Sequence, residues 1–235
     1  MFQFKQFSVK QDKTAMKVGT DGVLLGSWAP VNHNPFSILD IGAGTGIITL
    51  MLAQRTHAEQ IDALEIDEDA YEQAVENFEN SPWGDRLFCF HAGLDEFIDE
   101  PEDEYDLIVS NPPFYAEDYK TENEQRDLAR FQDAMPFEEI VEAADLLLSE
   151  NGILALILPY KEEEKFIALA KESELYPIKI TRVKGTPTTD IKRSLLAFCR
   201  NETLEIEIDE LIIEIDRHVY TPAYIELTKA FYLKM

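Results

Sequence analysis

The 235-residue chain lacks several features that define whole classes of protein. Its longest uninterrupted apolar run, Ile153–Leu158, is far shorter than the roughly 20 residues that a membrane-spanning helix needs. The opening stretch MFQFKQFSVK has no basic region followed by an apolar core, so we expect no signal peptide. There is no Gly-x-Ser-x-Gly motif and no Gly-Lys-Ser/Thr loop. These absences argue against a membrane protein, a serine hydrolase and a P-loop nucleotidase.

Cysteine and histidine are scarce and scattered. Cys89 and Cys199 lie far apart in strand-like runs, which is typical of reduced, buried thiols in a cytoplasmic protein. No histidine forms a spaced pair with another histidine or with a cysteine. The sequence therefore predicts a cytoplasmic protein with neither a disulfide nor a metal site.

Charge is distributed unevenly along the chain. The net charge is −25, which by itself argues against a polyanionic partner. Residues 1–20 nevertheless carry +3 and residues 176–200 carry +5, so the other 190 residues carry −33. Two interpretations stay open. The two stretches form a basic face that binds phosphates, or they are parts of an acidic protein that contain few carboxylates by chance.

Apolar runs alternate with helical patterns from residue 36 onward. This alternation predicts an α/β fold with a mainly parallel, doubly wound sheet and an antiparallel finish. We expect strands at 36–42, 60–67, 86–92, 105–111, 152–159, 175–185, 193–200 and 204–210, and helices at 45–54, 68–80, 137–149 and 161–174. Residues 1–35 precede this alternation as a short N-terminal extension, and residues 36–235 form the main domain. In such sheets, ligands bind outside the carboxyl ends of the strands.

A glycine-rich loop follows the first of these strands. The stretch Leu39–Gly46 reads LDIGAGTG, and Gly42, Gly44 and Gly46 permit a tight turn and close approach of a ligand to the backbone. The pattern is Gly-x-Gly-x-Gly, since Ile47 occupies the last glycine position of a dinucleotide fingerprint. With Asp40 just before it, the loop resembles motif I of S-adenosylmethionine-dependent methyltransferases.

An acidic residue at the end of the second strand is a candidate for binding a ribose. Glu65 lies 19 residues after Gly46, and a carboxylate at this position can accept hydrogen bonds from both ribose hydroxyls. Asp67 is the near alternative. In the methyltransferases that the glycine loop resembles, the turn after the third strand borders the cofactor adenine, which implies that Ala92, Gly93 and Leu94 form its rim.

Two polar residues beside that rim keep alternative roles. His91 either stacks on the ligand or has no special role. Asp95 either accepts a hydrogen bond from the adenine amine or caps a helix.

The fourth strand ends in Asn111-Pro112-Pro113-Phe114. The two prolines fix the backbone and remove two N–H donors, so the turn is stiff and leaves carbonyl oxygens free to accept hydrogen bonds. The Asn111 side-chain oxygen and a neighbouring carbonyl can accept both hydrogens of an NH2 group, while Phe114 stacks on a base. The sequence resembles motif IV of methyltransferases that act on planar nitrogens. Tyr115 is either a second stacking face or a core residue.

The whole chain resembles one family of these enzymes, the bacterial tRNA(Val)-specific adenine N6-methyltransferases. The resemblance rests on both motifs, on FKQFSVKQDKTAMKVGTDGVLLGSWAP near the N-terminus and on the tail YTPAYIELTKAFYLK. It implies a Rossmann-like seven-stranded methyltransferase sheet, S-adenosylmethionine as cofactor and tRNA as partner. The residues that it implies at the methionine end of the cofactor are Lys17, Gly19, Thr20, Asp21 and Gly22. The segment 116–136, with Arg130 and Phe131, departs from any pattern we can match.

The resemblance also gives the cations a use. A single-stranded anticodon loop presents a base that is readily extruded, and lysine or arginine side chains can hold its phosphates. The candidate RNA-binding residues are Lys5, Lys10, Lys13, Lys179, Arg182, Lys184, Lys192 and Arg193. We expect a monomer.

Other functions share the Asn-Pro-Pro turn. A methyltransferase of rRNA guanine N2 or of release-factor glutamine would use the same turn, although such enzymes usually carry a separate recognition domain. A non-catalytic RNA-binding protein with the same fold is a further alternative, against which the intact glycine loop, Glu65 and Asn111 argue.

Overall fold

The computed structural model describes residues 1–14, 16–98, 104–113, 135–202 and 205–234. The strands are β1 (Phe2–Gln3), β2 (Ser8–Val9), β3 (Ser37–Ile41), β4 (Gln60–Glu65), β5 (Leu87–His91), β6 (Tyr105–Ser110), β7 (Leu148–Pro159), β8 (Tyr176–Lys184), β9 (Ile191–Cys199), β10 (Glu207–Ile212), β11 (Glu214–Asp216) and β12 (Val219–Tyr220). The helices are α1 (Thr20–Trp28), α2 (Ile47–Arg55), α3 (Glu68–Glu79), α4 (Leu94–Ile98), α5 (Phe137–Leu147), α6 (Glu163–Glu172) and α7 (Pro222–Thr228), with a 3-10 turn at Tyr160–Glu162. Phe114, Tyr115 and most of the 116–136 segment lie outside the described residues.

Eight of the described strands form the central sheet, in the order β10-β8-β9-β7-β6-β3-β4-β5. Among these eight, only β9 runs antiparallel to its neighbours, which confirms the predicted, mainly parallel α/β sheet. The sheet has eight strands, one more than the seven we expected. We also expected several antiparallel strands near the C-terminus, whereas β9 is the one antiparallel strand of this described sheet. Because β9 ends at the amino edge of the sheet, the chain starts β10 there and pairs it in parallel with β8.

Side chains of the central strands alternate between two apolar cores. In β3, Ile38 joins the core on one face, whereas Leu39 and Ile41 join the core on the other. Helices α1, α2 and α3 cover the first face, and α5 and α6 cover the second. Burial on both faces explains why these strands read as continuous apolar runs.

The predicted helix boundaries are close to the observed ones, with two instructive differences. The second helix begins at Ile47 rather than Thr45, because Gly46 precedes it with φ of +74°. The helix that starts at Phe137 ends at Leu147, since Leu148 already pairs with Tyr105 as part of β7.

Glycines let α1 approach α2 closely. A Cβ on Gly22 would lie 3.2 Å from Ile47 Cγ2, and one on Gly26 would lie 2.8 Å from Met51 Sδ. The two helices therefore run side by side in the same direction. This arrangement brings the N-terminus of α1 next to the glycine loop that precedes α2.

The N-terminal and C-terminal segments pack against each other. Phe4 stacks on Phe7 at 4.7 Å between ring centroids and contacts Tyr232 at 5.8 Å. The Lys5 backbone N–H donates to Phe231 O at 2.8 Å. The two ends of the chain thus contribute to one aromatic cluster.

In the described ranges, no helix combines the length and the apolar character that crossing a bilayer requires.

Candidate active site

The ends of three parallel strands meet at the carboxyl edge of the sheet. Ile41 of β3 pairs with Leu64 of β4 on one side and with Ser110 of β6 on the other. The Ser110 hydroxyl also donates to Ile41 O at 3.0 Å. The residues that follow these positions, Gly42, Glu65 and Asn111, therefore surround one crevice.

All three glycines of the loop have left-handed backbones, but their surroundings differ. Their φ angles are +74° at Gly42, +57° at Gly44 and +74° at Gly46. A Cβ on Gly46 would overlap the ring of Phe78, whereas a Cβ on Gly44 would meet nothing within 4 Å. Gly46 is thus required for packing against α3, and Gly44 leaves open space above the loop.

The Glu65 carboxylate is fixed at the rim of this loop. Oε2 accepts a 2.7 Å hydrogen bond from the Gly44 N–H, and Oε1 accepts one of 2.9 Å from the Asp67 N–H. A carboxylate has about four acceptor sites, so about two remain after these bonds. The Asp67 side chain instead accepts from Ala70 N at 2.8 Å and caps α3. Of the two candidate ribose ligands, Glu65 is the one without a capping role.

Asp40 lies beneath the loop and is fully buried. Its Oδ2 accepts hydrogen bonds from Thr49 N at 3.1 Å and Thr49 Oγ1 at 2.7 Å, while Oδ1 has no partner among the described residues. Burial raises the pKa of this carboxyl to about 6, although the two bonds from Thr49 oppose the shift. A buried acceptor without a partner is costly, so a donor group from a ligand would complete this site.

Asn111 and the two prolines continue β6 into the crevice. Asn111 and Pro113 are half-buried, and Pro112 is buried. In the part of the chain that the structure describes, the Asn111 side chain makes no hydrogen bond.

Two amide side chains of α3 bind the backbone of the N-terminal segment. Asn77, which is buried, accepts from Lys10 N at 2.8 Å and donates to Lys10 O at 3.0 Å and to Thr45 O at 2.9 Å. Gln73 accepts from Asp12 N at 2.9 Å and from Lys13 N at 3.0 Å. One asparagine thus joins the N-terminal segment to the glycine loop. Sequence reasoning missed both amides, which look like ordinary polar residues of an amphipathic helix.

The residues implied at the methionine end of the cofactor lie near the start of α1. Thr20 is the first residue of α1 and is exposed, as is Lys17. Asp21 forms an ion pair with Arg193 at 2.8 Å. Gly22 packs closely against α2, and this packing by itself explains why the position is a glycine.

The predicted adenine rim lies between β5 and α4. Ala92 and Gly93 are half-buried, whereas Leu94 is buried in the core. Asp95 is the second residue of α4 rather than its N-cap, which argues against the capping alternative. The His91 ring stacks on Tyr71 at 5.2 Å between centroids, and its Nε2 lies 3.0 Å from Ile66 O.

Ile66, which the sequence reasoning did not consider, lies beside the predicted rim. Its side chain is 73% exposed immediately after Glu65, and its Cδ1 lies 3.7 Å from the Cβ position of Gly93. The signal available in the sequence was an apolar residue between two acidic residues at the end of a predicted strand.

Most of the candidate RNA-binding cations have partners within the protein. The side-chain ion pairs are Lys10–Glu76, Lys13–Glu72 at 2.5 Å, Lys179–Glu207 at 2.9 Å, Arg182–Glu163 at 2.7 Å, Lys184–Glu210 at 2.8 Å and Arg193–Asp21 at 2.8 Å. Lys5 Nζ donates to Lys229 O at 2.5 Å. Lys192 is exposed and forms no side-chain ion pair with a described residue. Exposed pairs are worth about 1 kcal/mol or less, so phosphates can compete for these cations.

Within the described ranges, no three His, Cys, Asp or Glu side chains are grouped as metal ligands. Both cysteines are free thiols. Burial, with the nearby charges of Glu65 and Asp40, raises the pKa of the Cys89 thiol to about 12.

The fold and the site define a methyltransferase. The family model "Methyltransferase small domain" matches residues 22–172, which include the glycine loop, Glu65 and Asn111. A predicted O-methyltransferase from Agrobacterium tumefaciens has a similar structure, with a TM-score of 0.70 at 20% identity, covering 90% of this chain and 96% of that one.

The particular family follows from the full-length relatives. Flavobacterium johnsoniae has a tRNA1(Val) (adenine(37)-N6)-methyltransferase that is 90% identical over the whole of both chains. The enzyme of the same name from Christiangramia forsetii is 61% identical and aligns with all of this chain and 98% of its own length. This chain belongs to the family of tRNA1(Val) (adenine(37)-N6)-methyltransferases.

Proposed function

We propose that this chain transfers a methyl group from S-adenosylmethionine to the N6 amine of adenine 37, next to the anticodon of tRNA1(Val). The observation that carries the proposal is the pairing of Ile41 with both Leu64 and Ser110. This pairing brings the glycine loop, Glu65 and the Asn-Pro-Pro turn to one crevice. The activity named for the 90% identical relative supports the same conclusion.

The residues present fit S-adenosylmethionine. The open space above Gly44 admits a ligand against the loop backbone, and Glu65 keeps acceptor sites for ribose hydroxyls. The partnerless Oδ1 of Asp40 can take a hydrogen bond from a donor of the ligand. Residues 1–35 serve as an extension over this side of the site, an assignment supported by the bonds of Asn77 to Lys10 and Thr45.

The chain's own residues position the acceptor nitrogen. S-adenosylmethionine supplies a methyl group already activated by its sulfonium. The Asn111 side-chain oxygen and the Pro112 carbonyl accept hydrogen bonds from the two N–H groups of the N6 amine and turn its lone pair toward that methyl. Once the new C–N bond has formed, the nitrogen releases one proton to solvent. Positioning of this kind can supply roughly 7–11 kcal/mol of the barrier, so a strong general base is not required. Phe114, outside the described residues, stacks on the adenine ring in this proposal.

Total tRNA that lacks the modification, incubated with the protein and labelled S-adenosylmethionine, tests the proposal. We expect the label in N6-methyladenosine of tRNA1(Val) after digestion to nucleosides. Label in guanosine would instead indicate a guanine N2 methyltransferase, and label in a release factor added to a parallel incubation would indicate a glutamine methyltransferase. No transfer, with RNA binding retained, would favour the non-catalytic alternative.

Asn111→Ala is expected to lower the rate of transfer about 100-fold or more, because the N6 amine loses one of its two acceptors. Cofactor affinity, measured by calorimetry, should stay within a few-fold of the wild type. Asn201→Ala is the control and should transfer normally. Asn201 is an exposed asparagine that follows the end of β9, at the edge of the sheet opposite the crevice. Retained activity in Asn111→Ala would remove Asn111 from the mechanism.

A further inference from the structure

An exposed tyrosine directly follows β7, the strand next to the one that leads into the Asn-Pro-Pro turn. β7 is the neighbour of β6 and continues for three residues beyond Leu156, the partner of Ser110. The strand thus extends about 10 Å past that level before it ends at Pro159. Tyr160 follows directly in the 3-10 turn and is 39% exposed. Tyr160 therefore lies at the same edge of the sheet as the crevice, and its ring packs against Arg182 of β8.

A guanidinium covers one face of this ring. Arg182 Cζ lies 5.6 Å from the centroid of the Tyr160 ring, within the range of a cation–π contact. The Arg182 side chain is 34% exposed, and its Nη1 donates no hydrogen bond to a described residue. This nitrogen is available to a phosphate.

A buried carboxylate holds the guanidinium in place. Glu163, whose side chain is only 4% exposed, accepts from Arg182 Nη2 at 2.7 Å and from Arg182 Nε at 3.1 Å. Its second oxygen accepts from the buried Ser194 hydroxyl. A buried carboxylate is costly unless it is paired, so this pair fixes the orientation of Arg182 more than it stabilises the fold.

Together these residues form a rigid, exposed aromatic platform backed by a cation. Aromatic rings of this kind bind the unstacked bases of single-stranded RNA. We propose that Tyr160 stacks on a base flanking the target adenine, and that Glu163 acts as a positioning residue by holding Arg182 against the ring. The inference rests on the proposed function, because it takes the substrate to be a tRNA anticodon loop.

Equilibrium binding of a tRNA1(Val) transcript, which does not depend on catalysis, tests the platform. Tyr160→Ala should weaken binding about tenfold, the effect of losing one stacked base, while Tyr160→Phe keeps wild-type affinity. Phe36→Ala is the matched control, since Phe36 is an aromatic residue with 58% exposure at the opposite edge of the sheet. Wild-type affinity in Tyr160→Ala would overturn the proposal.

A fluorescent base analogue separates stacking from a structural effect. Two transcripts carry 2-aminopurine, one on the 5′ side and one on the 3′ side of the target adenine. Wild-type protein should quench the fluorescence of one of them, and Tyr160→Ala should quench neither. Glu163→Gln should reduce the quench while the unliganded protein stays folded; an unchanged quench would exclude a positioning role. A wild-type protein that binds and quenches but does not methylate adenine would refute the proposed function and leave the platform standing.

Discussion

At the scale of single residues, neighbouring positions of the glycine loop have different reasons for being glycine. Gly46 is confined by the Phe78 ring, while Gly44 borders open space and donates its N–H to Glu65. Both have positive φ, so a side chain at either position carries a backbone cost of about 1–2 kcal/mol. The difference between them is close packing at Gly46 and open space at Gly44.

This difference predicts opposite outcomes for two alanine variants. Gly46→Ala should lower the melting temperature more than Gly44→Ala, because its methyl group collides with Phe78. Gly44→Ala should instead weaken S-adenosylmethionine binding at least tenfold while the protein stays folded. Thermal unfolding without ligand and calorimetric titration measure the two effects. Unchanged cofactor affinity in Gly44→Ala would show that the open space is not the ligand site.

The buried carboxyl of Asp40 predicts a dependence of stability on pH. Burial raises its pKa from the ordinary aspartate value of 3.8 to about 6, so the folded state binds the proton more tightly than the unfolded state. Stability therefore falls as pH rises from about 4 to about 6, by up to about 3 kcal/mol.

Asp40→Asn removes this titration. The melting temperature of the variant minus that of the wild type should rise steadily as the pH increases from about 4 to about 6. The variant should also bind the cofactor more weakly than the wild type. Thermal unfolding at a series of pH values measures the comparison. A temperature difference that is independent of pH would contradict the buried, titrating carboxyl.

At the scale of elements, α3 binds the N-terminal segment through the side chains of Gln73 and Asn77. Asn77 satisfies both backbone groups of Lys10 and the carbonyl of Thr45, so it couples the N-terminal segment to the glycine loop. Asn77 and Lys10 are 67 residues apart in the sequence.

Asn77→Ala should uncouple the two segments. We expect a loss of about 3 kcal/mol in the free energy of unfolding, because buried backbone groups lose their partners. Amide exchange at Lys10, Asp12 and Lys13 should accelerate, and cofactor affinity should drop. Asn80→Ala, an exposed asparagine at the end of the same helix, provides the comparison. Equal exchange rates in the two variants would argue against the coupling.

The sequence predicted the elements better than their contacts. The glycine loop, Glu65 and the Asn-Pro-Pro turn were found because each is a local pattern at the end of an apolar run. Asn77 and Tyr160 were missed because their roles depend on contacts with distant residues, which leave no periodic signal. The ion pairs of Lys179 and Lys184 likewise required the parallel pairing of β10 with β8, which the expected antiparallel finish did not contain.

At the scale of the whole molecule, an acidic protein is proposed to bind a polyanion through a few cations. Lys184, Lys192 and Arg193 lie where β8 ends and β9 begins, at the same edge of the sheet as the crevice. Two of the three are balanced by carboxylates, so the affinity for RNA should depend on a small number of phosphate contacts.

The affinity for tRNA should therefore fall steeply with salt. The slope of log affinity against log salt is expected to be about −0.7 to −0.9 for each neutralised phosphate. Lys192→Ala should reduce this slope by about one contact, whereas Lys171→Ala, at the far end of α6, should not change it. An affinity that is independent of salt would rule out phosphate binding by this face.

The packing of the N-terminal segment against the C-terminal one also fixes when the fold can be completed. The partners Lys5 and Lys229 are separated by 224 residues, and the Phe4 ring contacts Tyr232. During synthesis, residues 2–7 therefore lack these contacts until residues 229–232 have left the ribosome. The segment that carries Lys17 and Thr20 is anchored on one side by this late-forming cluster. We therefore expect that a product truncated before residue 229 lacks this anchor for its N-terminal segment.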